Sequence, residues 1–260
     1  MRTRLDVAMV KRGLCASRSE ATHLIASHAV TVSGATADKP SRLVGNDEPI
    51  EIVAQKKFVS RGGEKLEHAL IQFEIDVTDR SVLDAGASTG GFTDCVLQHG
   101  AQRVAAFDVG RGQLHEKLLH DARVVSIENF NVREISSESL PFPCSLAVVD
   151  LSFISLRKVL AALVSVLSPE PGHSVGEIVL LVKPQFEAGR EEVSKGKGVI
   201  TDPSIHERTV NEVSEEAVRL GCSVKGIVMS PIKGAEGNTE FLMHVVCPSR
   251  EQTRVIGEGK

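Results

Sequence analysis

The sequence predicts an α/β fold, a mainly parallel, doubly wound sheet with an antiparallel last strand, preceded by a small α+β domain at the N-terminus. Three observations predict it. From residue 61 onward, short apolar runs alternate with stretches long enough for a helix, the mark of strand–crossover–strand units. One run, beginning at Val82, passes straight into Gly-Ala-Ser-Thr-Gly-Gly, a turn suited to opening a helix beneath a ligand. The first 55 residues or so read differently, as two short helices followed by short alternating strands.

In chain order, Leu5, Met9 and Val10 share one helical face, with Lys11 and Arg12 beside it, and Gly13 ends that helix. Ser17 with Glu20 three residues on forms a capping box, so the second helix runs to about Ser27 and buries Ala21, Leu24 and Ile25. Strands follow at 30–32 and 49–53, and the string from Gln55 to Phe58 reads as a linker. In the larger part, strands are expected at 81–85, 104–108, 124–127, 146–150, 178–182, 223–229 and 241–246. Helices are expected at 63–73, 91–98, 113–120, 155–167 and 203–220. The final two strands have no helix between them and a Gly-rich connection, Lys233 to Gly237, which points to a hairpin. The expected domains are 1–55, a linker at 56–60, a second domain at 61–248 and a disordered tail at 249–260.

Charge is unevenly spread. The whole chain carries −4, yet residues 1–65 hold 11 Lys/Arg and 7 Asp/Glu, so the first quarter is net +4 and the remainder −8. A basic first quarter on an acidic body suits contact with a polyanion. With no Trp and no Tyr, contacts to phosphates and shape are expected rather than base stacking. The longest nearly unbroken apolar stretch, Val159 to Leu167, is about half of what spans a bilayer. The N-terminus has no apolar signal core, and a cytoplasmic location is the expectation. Five widely spaced cysteines without a Cys-x-x-Cys pair read as buried thiols, with no disulfide framework and no metal.

The chemistry concentrates at predicted strand ends. In the turn after the first strand of the larger part, Asp84, Gly86, Ala87, Ser88, Gly90, Gly91 and Phe92 lie together, and Asp108 closes the next strand 22 residues after Gly86. That spacing places a carboxylate where it can accept hydrogen bonds from a ribose. The glycine pattern is not Gly-x-Gly-x-x-Gly and suits a nucleoside without a pyrophosphate, such as S-adenosylmethionine. Asn129, in the stretch Ile127 to Asn131 after the third strand, is a candidate for the adenine. Asp150 and Lys183 each end an apolar strand, and such ends face the ligand crevice of an open α/β sheet. Lys65 stands at the start of the first helix of this part, and Glu240 opens the last strand.

The order Lys65, Asp150, Lys183, Glu240 resembles the tetrad of FtsJ-type RNA 2′-O-methyltransferases. The strings Ser60-Arg-Gly-Gly-Glu-Lys-Leu66, Leu83 to Thr93, Asp150-Leu-Ser-Phe-Ile-Ser-Leu156 and Val182-Lys-Pro-Gln-Phe-Glu187 resemble the TlyA, or hemolysin A, family of ribosomal RNA methyltransferases. The N-terminal strings around Arg4, Arg12 and Ser17 resemble the RNA-binding domain named after ribosomal protein S-four. The resemblance covers residues 4 to about 247, and the segment Pro169–Gly176 departs from it as a longer connection. It implies a Rossmann-like class I methyltransferase sheet, S-adenosylmethionine as cofactor, and ribosomal RNA cytidines on ribosomal subunits as substrate.

The expected roles follow. A free lysine at pH 7 is deprotonated in only roughly one molecule in a few thousand, and partial burial beside a second cation favours the neutral form. Lys183 is therefore expected as general base or alkoxide stabiliser, helped by Lys65, with Asp150 holding Lys183 and Glu240 positioning the lysines. Arg4, Lys11, Arg12, Arg18 and Arg42 are expected at the RNA in the first domain, and Lys195 and Lys197, in a mobile-looking loop at 189–198, over the substrate. A monomer is expected. The competing functions are a non-catalytic RNA-binding or ribosome-associated factor, which would predict a damaged turn or tetrad, and a membrane-active hemolysin, which would need a spanning or strongly amphipathic segment.

Overall fold

The structure, a computed structural model, describes residues 2–53, 57–168 and 175–247. The chain divides into two units, residues 1–57 and 58–260. The smaller unit runs β1 (Arg2–Arg4), α1 (Leu5–Lys11), α2 (Arg18–Ala26), β2 (Val30–Val32), β3 (Ala35–Thr36), β4 (Leu43–Gly45) and β5 (Ile50–Ile52). Gly13, at φ +71°, stops α1: its amide meets the Val10 carbonyl and that of Leu14 the Met9 carbonyl, both at 3.0 Å. Ser17 Oγ accepts from the Glu20 amide at 3.1 Å, while the Glu20 carboxylate accepts from the Ala16 amide at 2.8 Å. The box forms, one residue outside its usual reciprocal bond. Strand β2 pairs antiparallel with β3 and β5, and β1 with β4. Leu5, Met9, Ala21, Ile25, Val30, Val32 and Val44 close the core.

The larger unit runs α3 (Gly62–Gln72), β6 (Ser81–Ala85), α4 (Gly91–Gln98), β7 (Arg103–Phe107), α5 (Glu116–Leu119), β8 (Val124–Ile127), β9 (Leu146–Val149), α6 (Leu160–Val166), β10 (Gly176–Val182), α7 (Pro184–Glu187), α8 (Arg190–Lys195), α9 (Pro203–Arg219), β11 (Ser223–Met229) and β12 (Phe241–Cys247). Its seven-stranded sheet has the order β11-β12-β10-β9-β6-β7-β8. Strands β6 to β10 pair parallel, and β12 is antiparallel to both its neighbours. The inner strands are apolar on both faces because both faces are covered. Val82, Val104, Val148 and Leu181 pack with α3 and α4, whereas Leu83, Ala147, Leu180 and Val182 pack with α6 and α9. Strand ends Ala85, Phe107, Val149 and Val182 consequently fall along one rim, where parallel strands release their chain to loops.

At the opposite rim a buried charge cluster joins four of these strands. Arg80, 1% exposed, donates to the Ser145 hydroxyl and carbonyl at 3.0 and 2.8 Å and to Glu177 at 2.8 Å. The second Glu177 oxygen meets His244 Nε2 at 2.9 Å. His244 and then Arg80 hold the Glu177 carboxyl down to about 2, against the effect of burial.

Several expected elements come out differently. The helix expected at 155–167 is a short 3-10 turn at Leu156–Lys158 followed by α6, because the buried Glu187 carboxylate takes the Leu156 amide and resets the chain there. The loop expected at 189–198 contains α8, and the helix expected at 113–120 shrinks to α5. Strand β12 begins at Phe241, leaving Glu240 just outside it. The unexpected β1, β3 and β4 are two or three residues long, too short to show a period. Residues 54–56 of the expected linker, 169–174 of the longer connection and the expected tail at 249–260 lie outside the described residues.

Candidate active site

The turn from β6 to α4 is shaped by its own backbone. Gly86 and Gly90 sit at φ +90° and +95°, and Ser88 at +47°. A Cβ on Gly86 would strike the Asp150 carbonyl, and one on Gly91 the Ser60 hydroxyl. These glycines therefore serve close packing and left-handed backbone, and Gly86 and Gly91 also stand on cavity walls. Asp108 braces the turn: its carboxylate accepts from the Ser88 amide at 2.7 Å and the Gly110 amide at 2.6 Å. Beneath the turn Asp84 is fully buried, with one oxygen accepting from Thr93 Oγ1 at 2.6 Å and the other unpartnered among the described residues. Burial above all, with Asp150 and Asp108 adding to it, pushes the Asp84 carboxyl up to about 7.

A cavity of about 440 Å³ opens against this turn, lined by Gly86, Ser88, Asp108, Phe130, Asn131 and Asp150 among others. Its volume lies in the range of small-molecule sites. A carboxylate, an aromatic face and turn amides fit a nucleoside-bearing cofactor of the S-adenosylmethionine kind. Ala87, Gly91 and Phe92 face the adjoining cavity of about 420 Å³, and Gly90 packs on Leu118. Asn129, at φ +54°, bonds its amide to the Gly110 carbonyl and does not line the first cavity; its neighbours Phe130 and Asn131 do.

Lys65, Asp150, Lys183 and Glu240 all line the 420 Å³ cavity. They form two pairs. Lys65 Nζ donates to Glu240 Oε2 at 2.5 Å. Lys183 Nζ lies 2.6 Å from Asp150 Oδ1, a charge contact without hydrogen-bond alignment, and donates to Ser152 Oγ at 2.9 Å. Each lysine thus has its own carboxylate, rather than Glu240 serving both. Lys65, Lys183 and Glu240 are buried, at 8%, 9% and 3% exposure.

Beyond the tetrad lies a larger cleft of about 1010 Å³, also reached by Lys183 and Glu240. Phe153 stands in it 92% exposed, at φ +64°, with its ring 5.1 Å from that of Phe186. The two rings meet at a tilt of 50°. Glu187, 5% exposed, ties the two aromatic-bearing loops together by accepting from Ser155 Oγ at 2.5 Å and the Leu156 amide at 2.7 Å. Ser152, Phe153, Phe186 and Glu187 were missed as site residues. Phe153 and Glu187 lie inside strings that sequence reasoning singled out, but neither a positive φ nor a long-range carboxylate contact shows in residue spacing.

In the smaller unit Arg4 and Arg18 both reach Asp6, at 3.1 and 2.8 Å. Arg12 donates to the carbonyls of Gly45, Asn46 and Glu48, and Arg42 is 3.8 Å from Glu48. Lys11 is exposed. Lys197 is exposed at φ +50°, beside the large cleft's Gly198, and the side chain of Lys195 lies outside the described residues. Among the described residues no three His, Cys, Asp or Glu side chains gather as a metal site.

A parallel sheet with one inserted antiparallel strand, a Gly-rich turn after its central strand and an acidic residue ending the next defines a class I methyltransferase. The FtsJ-like methyltransferase model matches residues 58–246 and the S4 domain model residues 3–50. The chain belongs to the FtsJ-like methyltransferase family and carries an S4 domain at its N-terminus. It is 43% identical over 244 residues to the 16S/23S rRNA (cytidine-2'-O)-methyltransferase TlyA of Mycobacterium tuberculosis, covering 93% of this chain and 89% of that protein. It is 42% identical over 245 residues to Hemolysin A of Brachyspira hyodysenteriae, covering 94% and 99%. A solved structure from Streptococcus thermophilus, described as a candidate hemolysin, superimposes with a TM-score of 0.70 at 42% identity, over 95% of this chain and 90% of that one.

Proposed function

We propose that this methyltransferase acts on the 2′-hydroxyl of cytidine riboses in ribosomal RNA, with S-adenosylmethionine as donor and ribosomal subunits as substrate. The observation that carries the reading is the tetrad, two lysines each paired with a carboxylate on the wall of one cavity. Methyl transfer to a hydroxyl needs a neutral amine to take its proton and a neighbouring cation to steady the oxygen, whereas transfer to a base nitrogen needs neither. When bound, the cofactor supplies an activated methyl group. Gly86, Ser88 and Asp108 would hold its nucleoside, with Phe130 against the base and Asp150 toward the methionine end. Lys183 is the group at the acceptor oxygen. Neutral, it takes the hydroxyl proton; charged, it holds the emerging alkoxide. Asp150 and Ser152 aim Lys183, and Glu240 aims Lys65 toward the same oxygen. Phe153 and Phe186 offer a face on which an extruded base can stack. The S4 unit supplies phosphate contacts through Lys11 and its neighbouring arginines.

Two of the relatives' names speak of hemolysins. Among the described residues no helix is long and apolar enough to cross a membrane, and the whole tetrad favours methyl transfer over a non-catalytic role.

The test is methyl transfer from radiolabelled S-adenosylmethionine to isolated ribosomal subunits, for the wild type and Lys183→Ala, with products mapped. The expected result is label as 2′-O-methylcytidine, at least about a hundredfold slower in the variant, with cofactor affinity retained. An active Lys183→Ala would refute the lysine's role. No label on any subunit, despite cofactor binding, would refute the substrate.

A further inference from the structure

We propose that Asn238 is a positioning residue for the acceptor, locking the segment 189–200 in place as one wall of the large cleft. The proposal rests on the reading of that cleft as the RNA side of the site. Asn238 is 1% exposed. Its side chain makes two bonds to one stretch of chain about forty residues earlier. Oδ1 accepts from the Ile200 amide at 2.9 Å, and Nδ2 donates to the Gly198 carbonyl at 3.0 Å. Its own carbonyl accepts from the Gly234 amide at 2.9 Å, closing the turn that surrounds Glu240. A Cβ on Gly234 would lie 2.5 Å from Glu240 Oε1, so that turn wraps the tetrad carboxylate closely. One residue therefore meets both, the wall through its side chain and the turn around Glu240 through its backbone.

The wall belongs to the acceptor side alone. Val193, Ser194 and Gly198 line the large cleft together with Lys183 and Phe153. Among the described residues, none of 189–200 lines the cavity at the Asp108 turn. Other ties of the segment are of a different kind. Glu192 meets Arg208 at 2.6 Å, an exposed pair of the kind that contributes little. His206 Nε2 lies 2.9 Å from the Ile200 carbonyl. Asn238 is different, because removing it leaves an amide and a carbonyl unsatisfied in a buried place. Backbone strain adds to the load on it: Lys197 sits at φ +50°, a conformation that persists in a non-glycine residue only where the surroundings hold it.

The test measures RNA KM, kcat and cofactor affinity for Asn238→Ala and Asn238→Asp, with amide hydrogen exchange on the full chain. Asn238→Asp keeps the acceptor for Ile200 but turns a carboxylate oxygen toward the Gly198 carbonyl, so both variants are expected to fail alike. The expected result is an RNA KM raised about tenfold, kcat changed less than about threefold, and cofactor affinity unchanged. Exchange should quicken at Ile200 and its neighbours and stay slow in the central strands. An unchanged RNA KM in variants whose Ile200 amide exchanges faster would overturn the proposal, since the wall would then be loose without consequence. So would an unchanged Ile200 exchange rate, or exchange rising throughout the sheet together with lost cofactor affinity. Failure of the underlying reading is distinguishable, because the wild type itself would then transfer no methyl group to ribosomal RNA, and the proposal would fall with it.

Discussion

Asp84 shows how a residue can be essential to a turn and costly within it. Its carboxyl is fully buried with one oxygen unpartnered among the described residues, and its pKa is pushed to about 7. A carboxyl whose folded pKa is raised contributes stability that is complete below about pH 4, where the unfolded chain also holds the proton. That contribution is lost as pH rises through about 7. Asp84→Asn should therefore flatten the pH dependence: between pH 5 and 8 the wild type's Tm falls more than the variant's. Thermal unfolding at the two pH values checks this, and parallel curves would refute it. At this scale the sequence was a partial guide. Asp150 and Lys183 were legible because each follows an apolar strand, whereas Lys65 and Glu240 stood out only through the resemblance of the four in order. Their pairing was not legible, since Lys65 and Glu240 are 175 positions apart and only the folded sheet decides which carboxylate each lysine meets.

Among elements, the site depends on short pieces tied across loops. Glu187 ends α7 yet acts on the 3-10 turn at Leu156–Lys158, 31 residues earlier. Glu187→Ala should leave the Leu156 amide and the Ser155 hydroxyl unsatisfied and destabilise the larger unit by about 2 kcal/mol. Glu187→Gln can still accept from the amide and donate to the hydroxyl, so it should lose less than half of that. Chemical denaturation of the three proteins separates the outcomes; equal loss in both variants would mean that charge, rather than the two hydrogen bonds, holds the loops. Long elements were readable from sequence, since β6, β8 and β11 fall at the expected residues. Those runs are apolar or alternate over enough positions to show a period. The split of the helix expected at 155–167 follows from a contact with Glu187 that no local pattern contains.

At the scale of the whole molecule, the chain combines a basic first quarter with an acidic remainder. In the S4 unit Arg4, Arg12, Arg18 and Arg42 each already contact an acidic side chain or carbonyl. Lys11 is exposed and makes no such contact among the described residues. Lys11→Ala should weaken RNA binding for all sequences alike and lower the slope of log affinity against log salt by about 1. Filter binding across a salt series checks it, and an unchanged slope would place the phosphate contact elsewhere.

The buried cluster at the far rim of the sheet also has a bearing on the site. Arg80, Ser145, Glu177 and His244 stand beside or within the four strands whose other ends present the Gly-rich turn, Asp150, Lys183 and Glu240. A slip of β10 by one residue against β9 would displace Lys183 by about 3.3 Å and turn it to the opposite face. The same slip would take Glu177 from Arg80 and leave a guanidinium buried without its partner, a loss of roughly 3 kcal/mol or more. Misaligned sheets are thus penalised at a place remote from the tetrad, and the cluster works as a gauge: a chain that has folded with Arg80 satisfied has also brought Asp150, Lys183 and Glu240 into register.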